Sequence, residues 1–200
     1  MARKPDYRKK DYIAKKSTEL FAAKGYQNTT IEQIARESGY AVGTIYLYFD
    51  SKEEILATIL TDFVEQFVDN ILPEVNDIED PVDRFKHVLG LFLKSSEEYP
   101  DRAWVLATEL KKVIRPDSIV YKSEMGKLLS VITDSLKALQ ENGIVKEDID
   151  LEKHTIMIYG IIESLTLYWV SEKESFSLSD SNEMIADMVL YGVLTDKVNV

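Results

Sequence analysis

Apolar residues recur along the chain at the three- and four-residue spacing of amphipathic helices. Between residues 29 and 52 this pattern forms two short segments. Each segment has four residues that share one helical face: Ile31, Ile34, Ala35 and Ser38 in the first, and Val42, Ile45, Tyr46 and Phe49 in the second. Gly39 separates them and can adopt the positive φ that a sharp turn requires. Two helices joined in this way predict a helix-turn-helix motif.

The outer face of the second short helix carries no charged residue, although a solvated helix face usually does. Ala41, Thr44 and Tyr48 form one outer stripe, with Gly43 and Leu47 beside it. Small residues permit close approach to a surface, Thr44 and Tyr48 can hydrogen-bond phosphates or base edges, and Leu47 can contact a thymine methyl. The pattern favours DNA binding over the alternative, a helical hairpin packed into a larger all-helical core.

A longer series of residues at fixed spacings contains this motif: Phe21, Gly25-Tyr26, Thr29-Thr30-Ile31, Ile34-Ala35, Gly39, Gly43-Thr44-Ile45-Tyr46, Tyr48-Phe49 and Ser51-Lys52-Glu53-Glu54. The series resembles the N-terminal DNA-binding domain of the TetR family of bacterial repressors. The resemblance implies an all-helical, dimeric protein that a small ligand in the C-terminal domain releases from its operator. Ala41, Val42 and Tyr48 differ from the Ser-Lys or Ser-Arg pair and the His common in the family, so a relative's operator sequence does not transfer.

We predict an all-α protein with a three-helix helix-turn-helix DNA-binding domain in residues 1–52 and a helical ligand-binding and dimerisation domain in residues 53–200. The candidate DNA contacts are Thr29, Thr30, Ala41, Val42, Gly43, Thr44, Tyr46, Leu47, Tyr48 and Lys52. Thr29 or Thr30 caps the second helix, with Glu32 or Gln33 placed for a capping box, and the free N–H groups there suit a phosphate. Lys52 follows a cap at Asp50 or Ser51, where the helix dipole disfavours a cation, and a phosphate partner would account for it.

The net charge of −11 is distributed unevenly along the chain. Residues 1–50 hold nine Lys/Arg against six Asp/Glu, which leaves a net charge of −14 on the remainder. A basic DNA-facing domain on an acidic body fits this asymmetry. In residues 1–6, Arg3 and Lys4 could reach a phosphate or the minor groove, or form a solvated tail. The charged N-terminus is not followed by an apolar run, so we expect no signal peptide and a cytoplasmic protein.

Caps, breakers and apolar stripes predict seven further helices, at residues 7–24, 52–72, 81–98, 102–113, 118–140, 156–170 and 180–196. Gly25 ends the first of these, and Pro73 ends the helix that leads from the DNA-binding domain into the body. Pro81 begins the next one as its first residue. The Tyr99-Pro100-Asp101 sequence and Arg115-Pro116 bound the helix at 102–113. We detect no repeat and no strand pattern.

The helix at 156–170 is apolar all round, with eleven large apolar residues among its fifteen. Such a helix is buried on all sides. It is too short to span a membrane and it contains Glu163. We therefore predict a homodimer through the last two helices, with Gly160 marking a close helix approach and Ile185, Met188, Val189 and Gly192 forming a stripe on the last helix. The alternative is a monomer with a central buried helix.

Catalytic and metal-binding patterns give little support to other functions. The chain has no Cys and only two well-separated His, His87 and His154, so we predict no metal site and no cofactor. We find no Ser/His/Asp set, phosphate loop or paired carboxylates, and we predict that the protein is not an enzyme. A DNA-binding regulator that senses a protein partner remains the alternative to a ligand sensor.

The candidate ligand-binding residues combine aromatic walls with two polar anchors: Phe67, His87, Phe92, Trp104, Tyr121, Met125, Tyr159 and Glu163. Core packing is the alternative for each of these residues alone. Apolar walls with a few polar groups are typical of ligand pockets. We expect a small apolar effector, either a lipophilic cation or a fatty-acyl compound, and the acidic body favours the cation. Its binding should tilt the helix that begins at Lys52 and change the spacing between the two DNA-binding domains of the dimer.

Overall fold

The computed structural model describes residues 7–172 and 175–193, and its regular structure in these residues is helical, as the sequence predicts. The helices are α1 (Tyr7–Lys24), α2 (Ile31–Ser38), α3 (Val42–Ile45), α4 (Lys52–Asn76), α5 (Pro81–Glu98), α6 (Pro100–Thr108), α7 (Leu110–Val113), α8 (Ile119–Glu141), α9 (Leu151–Ser171) and α10 (Asn182–Val193), with a 3₁₀ turn at Ser179–Ser181. Arg3 and Lys4 lie outside the described residues, as does the predicted end of the last helix at residue 196.

The chain forms two compact units that do not follow the sequence order. The first unit combines the residues up to Phe63 with Asp101–Lys122, and the second combines Val64–Pro100 with the residues from Ser123 onward. Helices α4 and α8 each continue from one unit into the other. The helix-turn-helix region therefore shares its unit with α6 and α7, while the predicted domain division after residue 52 stays a prediction.

The first unit is built around the three helices α1 to α3. Ile13, Phe21, Ile34 and Ile45 are each 0% exposed. Gly25, with a φ of +80°, ends α1, and Gly39, with a φ of +72°, separates α2 from α3. Both glycines take left-handed backbone angles that other residues adopt at a cost. The bounds of α1 confirm the sequence prediction, and on the face predicted for α2 Ile34, Ala35 and Ser38 are buried and Ile31 is half-buried.

Helix α6 belongs to the first unit through contacts with α1 and α4. The guanidinium of Arg102 lies 4.8 Å from the centroid of the Phe63 ring on α4. Burial, together with the nearby carboxylate of Glu19 on α1, raises the pKa of Asp101. These contacts place the start of α6 beside α1 and α4.

Proline does not end α4, contrary to the sequence prediction. The helix continues through Pro73 to Asn76. Proline removes one helical hydrogen bond and crowds the preceding turn, but it does not prevent the following residues from remaining helical. Val75 is 8% exposed and lies one turn after Ile71, which is 1% exposed, so burial of Val75 favours continuation of the helix.

Three further helix boundaries differ from the prediction. Pro100 begins α6 instead of breaking the chain, since proline suits the first turn of a helix. The predicted helix at 102–113 is divided at Glu109 into α6 and α7. Helix α9 begins at Leu151, because the Asp150 side chain accepts a hydrogen bond from the Lys153 N–H.

The second unit has an apolar core to which the last helices are attached by hydrogen bonds. Phe85, Leu89, Leu93, Ile132, Leu136 and Leu139 are fully buried. The carboxylate of Glu97 on α5 accepts hydrogen bonds from the Ser179 N–H at 3.0 Å, the Ser179 hydroxyl and the Ser177 hydroxyl. The Trp169 ring N–H on α9 donates to the Phe176 carbonyl oxygen at 2.7 Å. These bonds fix the segment that leads into α10.

Helices α9 and α10 expose several large apolar side chains within the single chain. On α9, Ile156 and Met157 are each 53% exposed and Tyr168 is 57% exposed. On α10, Met184 is 63% and Met188 is 53% exposed, whereas Ile185 and Val189 are buried. Met188 therefore does not share a buried face with Ile185 and Val189. No helix of the described residues is long and apolar enough to cross a membrane.

Candidate nucleic-acid interface and ligand site

Helix α3 is short, and tightened turns continue it. After Ile45, the N–H groups of Leu47 and Tyr48 bond to carbonyl oxygens three residues earlier, at 3.2 and 3.0 Å, and the Phe49 N–H bonds to the Ile45 carbonyl at 3.0 Å. Ile45 and Phe49 are the inward residues, at 0% and 1% exposure. Tyr46, predicted for the same inner face, is 52% exposed, so that assignment was wrong.

The outer side of this segment, which we call the reading surface, consists of residues 41–44 and 46–48. Leu47 is 78% exposed, and Ala41, Gly43 and Tyr46 are also exposed. Val42, Thr44 and Tyr48 are half-buried. The surface contains no ionisable side chain other than its two tyrosines, so base contacts here rest on hydroxyl groups, methyl groups and aromatic rings.

Helix α1 adds two lysines beside the reading surface, which the sequence analysis did not identify. The Lys9 ammonium lies 5.7 Å from the centroid of the Tyr40 ring, and the Lys10 ammonium lies 5.5 Å from that of Phe49. The Tyr12 and Tyr40 rings meet edge to face at 6.2 Å. The only sequence signal was the cluster of basic residues at the start of α1. The arrangement places two positive charges beside Tyr40 and Phe49, the residues that flank the reading surface in the chain, and such charges favour binding of a nucleic-acid backbone.

At the start of α2 the structure distinguishes the two threonines. The Thr30 hydroxyl accepts from the Gln33 N–H at 3.3 Å, and the Gln33 side chain accepts from the Thr30 N–H at 2.9 Å, which completes the capping box. Thr29 is 1% exposed, and its hydroxyl donates to the Gly25 carbonyl at 2.9 Å. The Thr29 side chain is therefore directed into the protein, which does not favour a DNA contact through its hydroxyl.

Lys52 has partners that the helix-dipole argument did not anticipate. Its ammonium donates to the carbonyl oxygens of Tyr26 at 2.7 Å and Thr29 at 2.8 Å. It also lies 4.1 Å from the centroid of the Tyr26 ring. Ser51 supplies the cap of α4, because its hydroxyl accepts from the Glu54 N–H at 3.1 Å. Protein groups thus account for the cation, and a phosphate is not needed to explain it.

The predicted ligand residues divide between the two units. Phe67 and Phe92 lie in the second unit with ring centroids 4.4 Å apart, at 6% and 5% exposure. The same unit contains Met125, which is buried, and Tyr159 and Glu163, which are half-buried. Trp104 and Tyr121, both half-buried, belong to the first unit.

One predicted polar anchor has a different environment. The His87 ring nitrogen Nε2 lies 3.2 Å from the Glu74 carboxylate, and both side chains are well exposed. This exposed contact does not place His87 among apolar walls, and its role as a ligand anchor stays a prediction. Among the described residues, the sequence analysis missed a buried carboxylate, that of Glu124, which is 6% exposed and accepts from the Lys127 ammonium at 2.9 and 3.1 Å.

Comparison with known proteins matches both parts of the chain. Residues 13–59 match the family of bacterial regulatory proteins described as the tetR family, and residues 60–192 match the family described as YsiA-like protein, C-terminal region. The fatty acid metabolism regulator protein of Bacillus subtilis (strain 168) is 24% identical over 181 residues, which cover 88% of this chain and 91% of the relative.

Solved structures share the fold over nearly the whole length. The fatty acid degradation regulator FadR from Bacillus halodurans superposes with a TM-score of 0.87 at 24% identity, covering 95% of this chain and 98% of the other. FadR from Bacillus subtilis, solved in complex with stearoyl-CoA, has a TM-score of 0.82 at 22% identity and covers 92% and 98%. The chain belongs to the TetR family of bacterial regulatory proteins and is a DNA-binding transcriptional regulator.

Proposed function

We propose that the protein is a homodimeric repressor that a fatty acyl-CoA thioester releases from a near-palindromic operator. The observation that carries the effector assignment is the similarity, over 92% of this chain, to a FadR solved with stearoyl-CoA. The fatty acid metabolism regulator of B. subtilis supports the same class of effector. This assignment selects the fatty-acyl alternative over the lipophilic cation that the acidic body favoured.

The charge distribution of the body also supports an anionic effector. Residues 102–127 hold six Lys/Arg against three Asp/Glu, within a body that is otherwise strongly acidic. Lys112 and Arg115 in this stretch are well exposed, with side chains at 65% and 82% exposure. The phosphates of a CoA group require cations, and Lys112 and Arg115 are exposed cations that each pair with one carboxylate, of Glu109 and Asp117. The acyl chain requires apolar walls, for which Phe67 and Phe92 are the candidates.

The exposed apolar residues of α9 and α10 support a dimer. Soluble monomers rarely expose contiguous apolar patches, and two helices from each chain would cover these residues in a four-helix arrangement. A dimer brings two reading surfaces to one duplex, with half-sites one helical turn or a multiple apart. Effector binding would then act through α4, which begins in the unit that contains the reading surface and continues into the second unit.

Operator release by defined compounds tests this function. An operator is first selected from a random duplex library with the purified protein, and its binding is followed by fluorescence anisotropy. Stearoyl-CoA is titrated against three controls: CoA alone, free stearate and the hydrophobic cation tetraphenylphosphonium.

We expect stearoyl-CoA to lower operator affinity by about tenfold or more, which corresponds to about 1.4 kcal/mol of coupling free energy. CoA alone should have no effect, because it lacks the apolar chain. Release by the cation and not by stearoyl-CoA would contradict the effector assignment. Release by neither, with the operator still bound, would favour a protein partner as the signal.

A further inference from the structure

The ammonium group of Lys52 lies against the turn between α1 and α2, and the residue is half-buried. Its two acceptors, the carbonyl oxygens of Tyr26 and Thr29, belong to residues that are each 1% exposed. Hydrogen bonds from a charged donor are stronger than those between neutral groups, and the Tyr26 ring adds a cation–π contact. The first residue of α4 is therefore attached to the backbone of a turn more than twenty residues earlier in the chain.

This turn leads directly into α2. The Tyr26 carbonyl also accepts from the Thr29 N–H at 3.2 Å, and the Thr29 hydroxyl bonds to Gly25. The next residue, Thr30, caps α2. The Thr29 carbonyl that binds the Lys52 ammonium thus belongs to the same peptide unit as the N–H of Thr30, the cap of the helix that supports the reading surface.

We propose that Lys52 is a positioning residue, which couples the first turn of α4 to the start of α2 and so sets the orientation of the reading surface. The inference rests on the proposed function, in which the effector acts on the operator through α4. A displacement of the first turn of α4 carries the ammonium with it, and the two carbonyl groups and the α2 cap follow. Without the ammonium, α4 can move while the reading surface keeps its orientation.

A direct phosphate contact makes a different prediction for the same residue. The slope of log affinity against log salt concentration is negative, and each lost phosphate contact makes it less steep by about 0.9, for specific and non-specific duplexes alike. A positioning residue leaves that slope unchanged, because no counterion is released at its ammonium. It changes specific binding and the response to the effector.

Three variants separate these roles. Lys52→Met keeps the aliphatic stem and removes the ammonium. Lys52→Arg retains the charge and the donors, and tests rescue. Lys15→Met removes a charge from an exposed position of α1 and serves as the matched control. Each is measured for operator and non-specific affinity over a range of salt concentrations, with and without stearoyl-CoA, and for hydrogen–deuterium exchange in residues 25–38.

We expect Lys52→Met to bind the operator about tenfold more weakly, with an unchanged salt slope and faster exchange in residues 25–38. The factor by which stearoyl-CoA weakens operator binding should fall toward one. Lys52→Arg should recover most of the exchange protection and of the response, and Lys15→Met should resemble the wild type. If Lys52→Met does not fold, Lys52→Gln, which keeps a donor without the charge, takes its place in the same measurements.

Two results would overturn the proposal. One is that Lys52→Met shows normal exchange in residues 25–38 and a salt dependence that is less steep by about 0.9 per subunit, which identifies a phosphate contact. The other is an unchanged response to stearoyl-CoA in a variant with fast exchange, which shows that the contact stabilises the turn without coupling it to α4. If the wild type itself ignores stearoyl-CoA, the effector assignment fails, while the exchange, salt-slope and operator-affinity measurements still decide the role of Lys52.

Discussion

Removal of the two exposed methionines of α10 should dissociate the dimer without destabilising the folded chain. Met184 is 63% and Met188 is 53% exposed in the single chain, so more than half of each side chain remains to be covered. Complete burial of a Met side chain is worth about 1.5–3 kcal/mol, and covering the remaining part is therefore worth about 1 kcal/mol or slightly more.

The twofold symmetry of a dimer doubles this contribution. Each methionine occurs twice in a symmetric interface, so the double variant Met184→Ala/Met188→Ala removes four side chains. The expected loss is about 4 kcal/mol, which raises the dimer dissociation constant by about three powers of ten. The monomer should not suffer, because both positions are exposed and alanine is a better helix former than methionine.

Sedimentation velocity over a wide range of protein concentrations measures this effect. The matched control is Ile119→Ala/Val120→Ala, since these exposed apolar residues of α8 lie in the first unit. Circular dichroism checks that both double variants retain their helical content. A dimer dissociation constant that is unchanged in the α10 variant, or equally raised in the control, would refute the assignment of α10 to the interface.

Three further predictions follow from the reading surface, α9 and the Glu97 hydrogen bonds. Tyr48→Ala should weaken operator binding by about tenfold and non-specific binding much less, as measured by anisotropy, whereas Tyr7→Ala on α1 should change neither. Gly160→Ala should raise the unfolding temperature of dilute monomer, because alanine favours a helix by about 0.5–1 kcal/mol and its Cβ meets nothing within 4 Å among the residues that the structure describes. A dimer that becomes tighter would remove Gly160 from the close approach. The hydrogen bonds to Glu97 outweigh the opposing effect of burial and lower its pKa, so they stabilise the fold above the ordinary Glu pKa and this stability is lost as the pH falls below it. Acidification from about pH 5 to about pH 3 should therefore lower the unfolding temperature of the wild type more than that of Glu97→Gln, and equal decreases would contradict this cause.

The sequence predicts helices well where the signal for a boundary is local. The bounds of α1 match residue for residue, because Gly25 ends the helix through its own backbone conformation. The bounds of α5 match as well, since Asp80 caps it and Pro81 occupies the first helical position. These signals act within a single turn of helix and require no knowledge of the tertiary fold.

The errors arise where distant contacts decide. Pro73 would end an isolated helix, but the burial of Val75 favours continuation of α4 past it. The dipole rule made Lys52 look unpartnered, because its acceptors at Tyr26 and Thr29 are brought to it only by the packing of α4 against the α1–α2 turn. Thr29 carries the residue type that suits a DNA contact, and only the fold shows that its hydroxyl is directed inward.

Helix α4 continues from one unit into the other, and this continuity bears on how large a difference in binding free energy the effector must supply to release the operator. Helix α4 passes from the first unit to the second after Phe63, and its first residue holds the turn that precedes α2. Arg102 on α6 contacts the Phe63 ring on α4. The helices α4 and α6 therefore meet within the unit that contains the reading surface. An effector can shift the balance between bound and released states only by the difference in its affinity for them. A hundredfold loss of operator affinity needs about 2.8 kcal/mol, and each buried CH₂ group contributes about 0.8 kcal/mol, so three or four additional methylene groups covered in the released state are enough. A long acyl chain has many such groups, and a change of packing along a fraction of its length can therefore account for release, provided that α4 transmits this change to the reading surface.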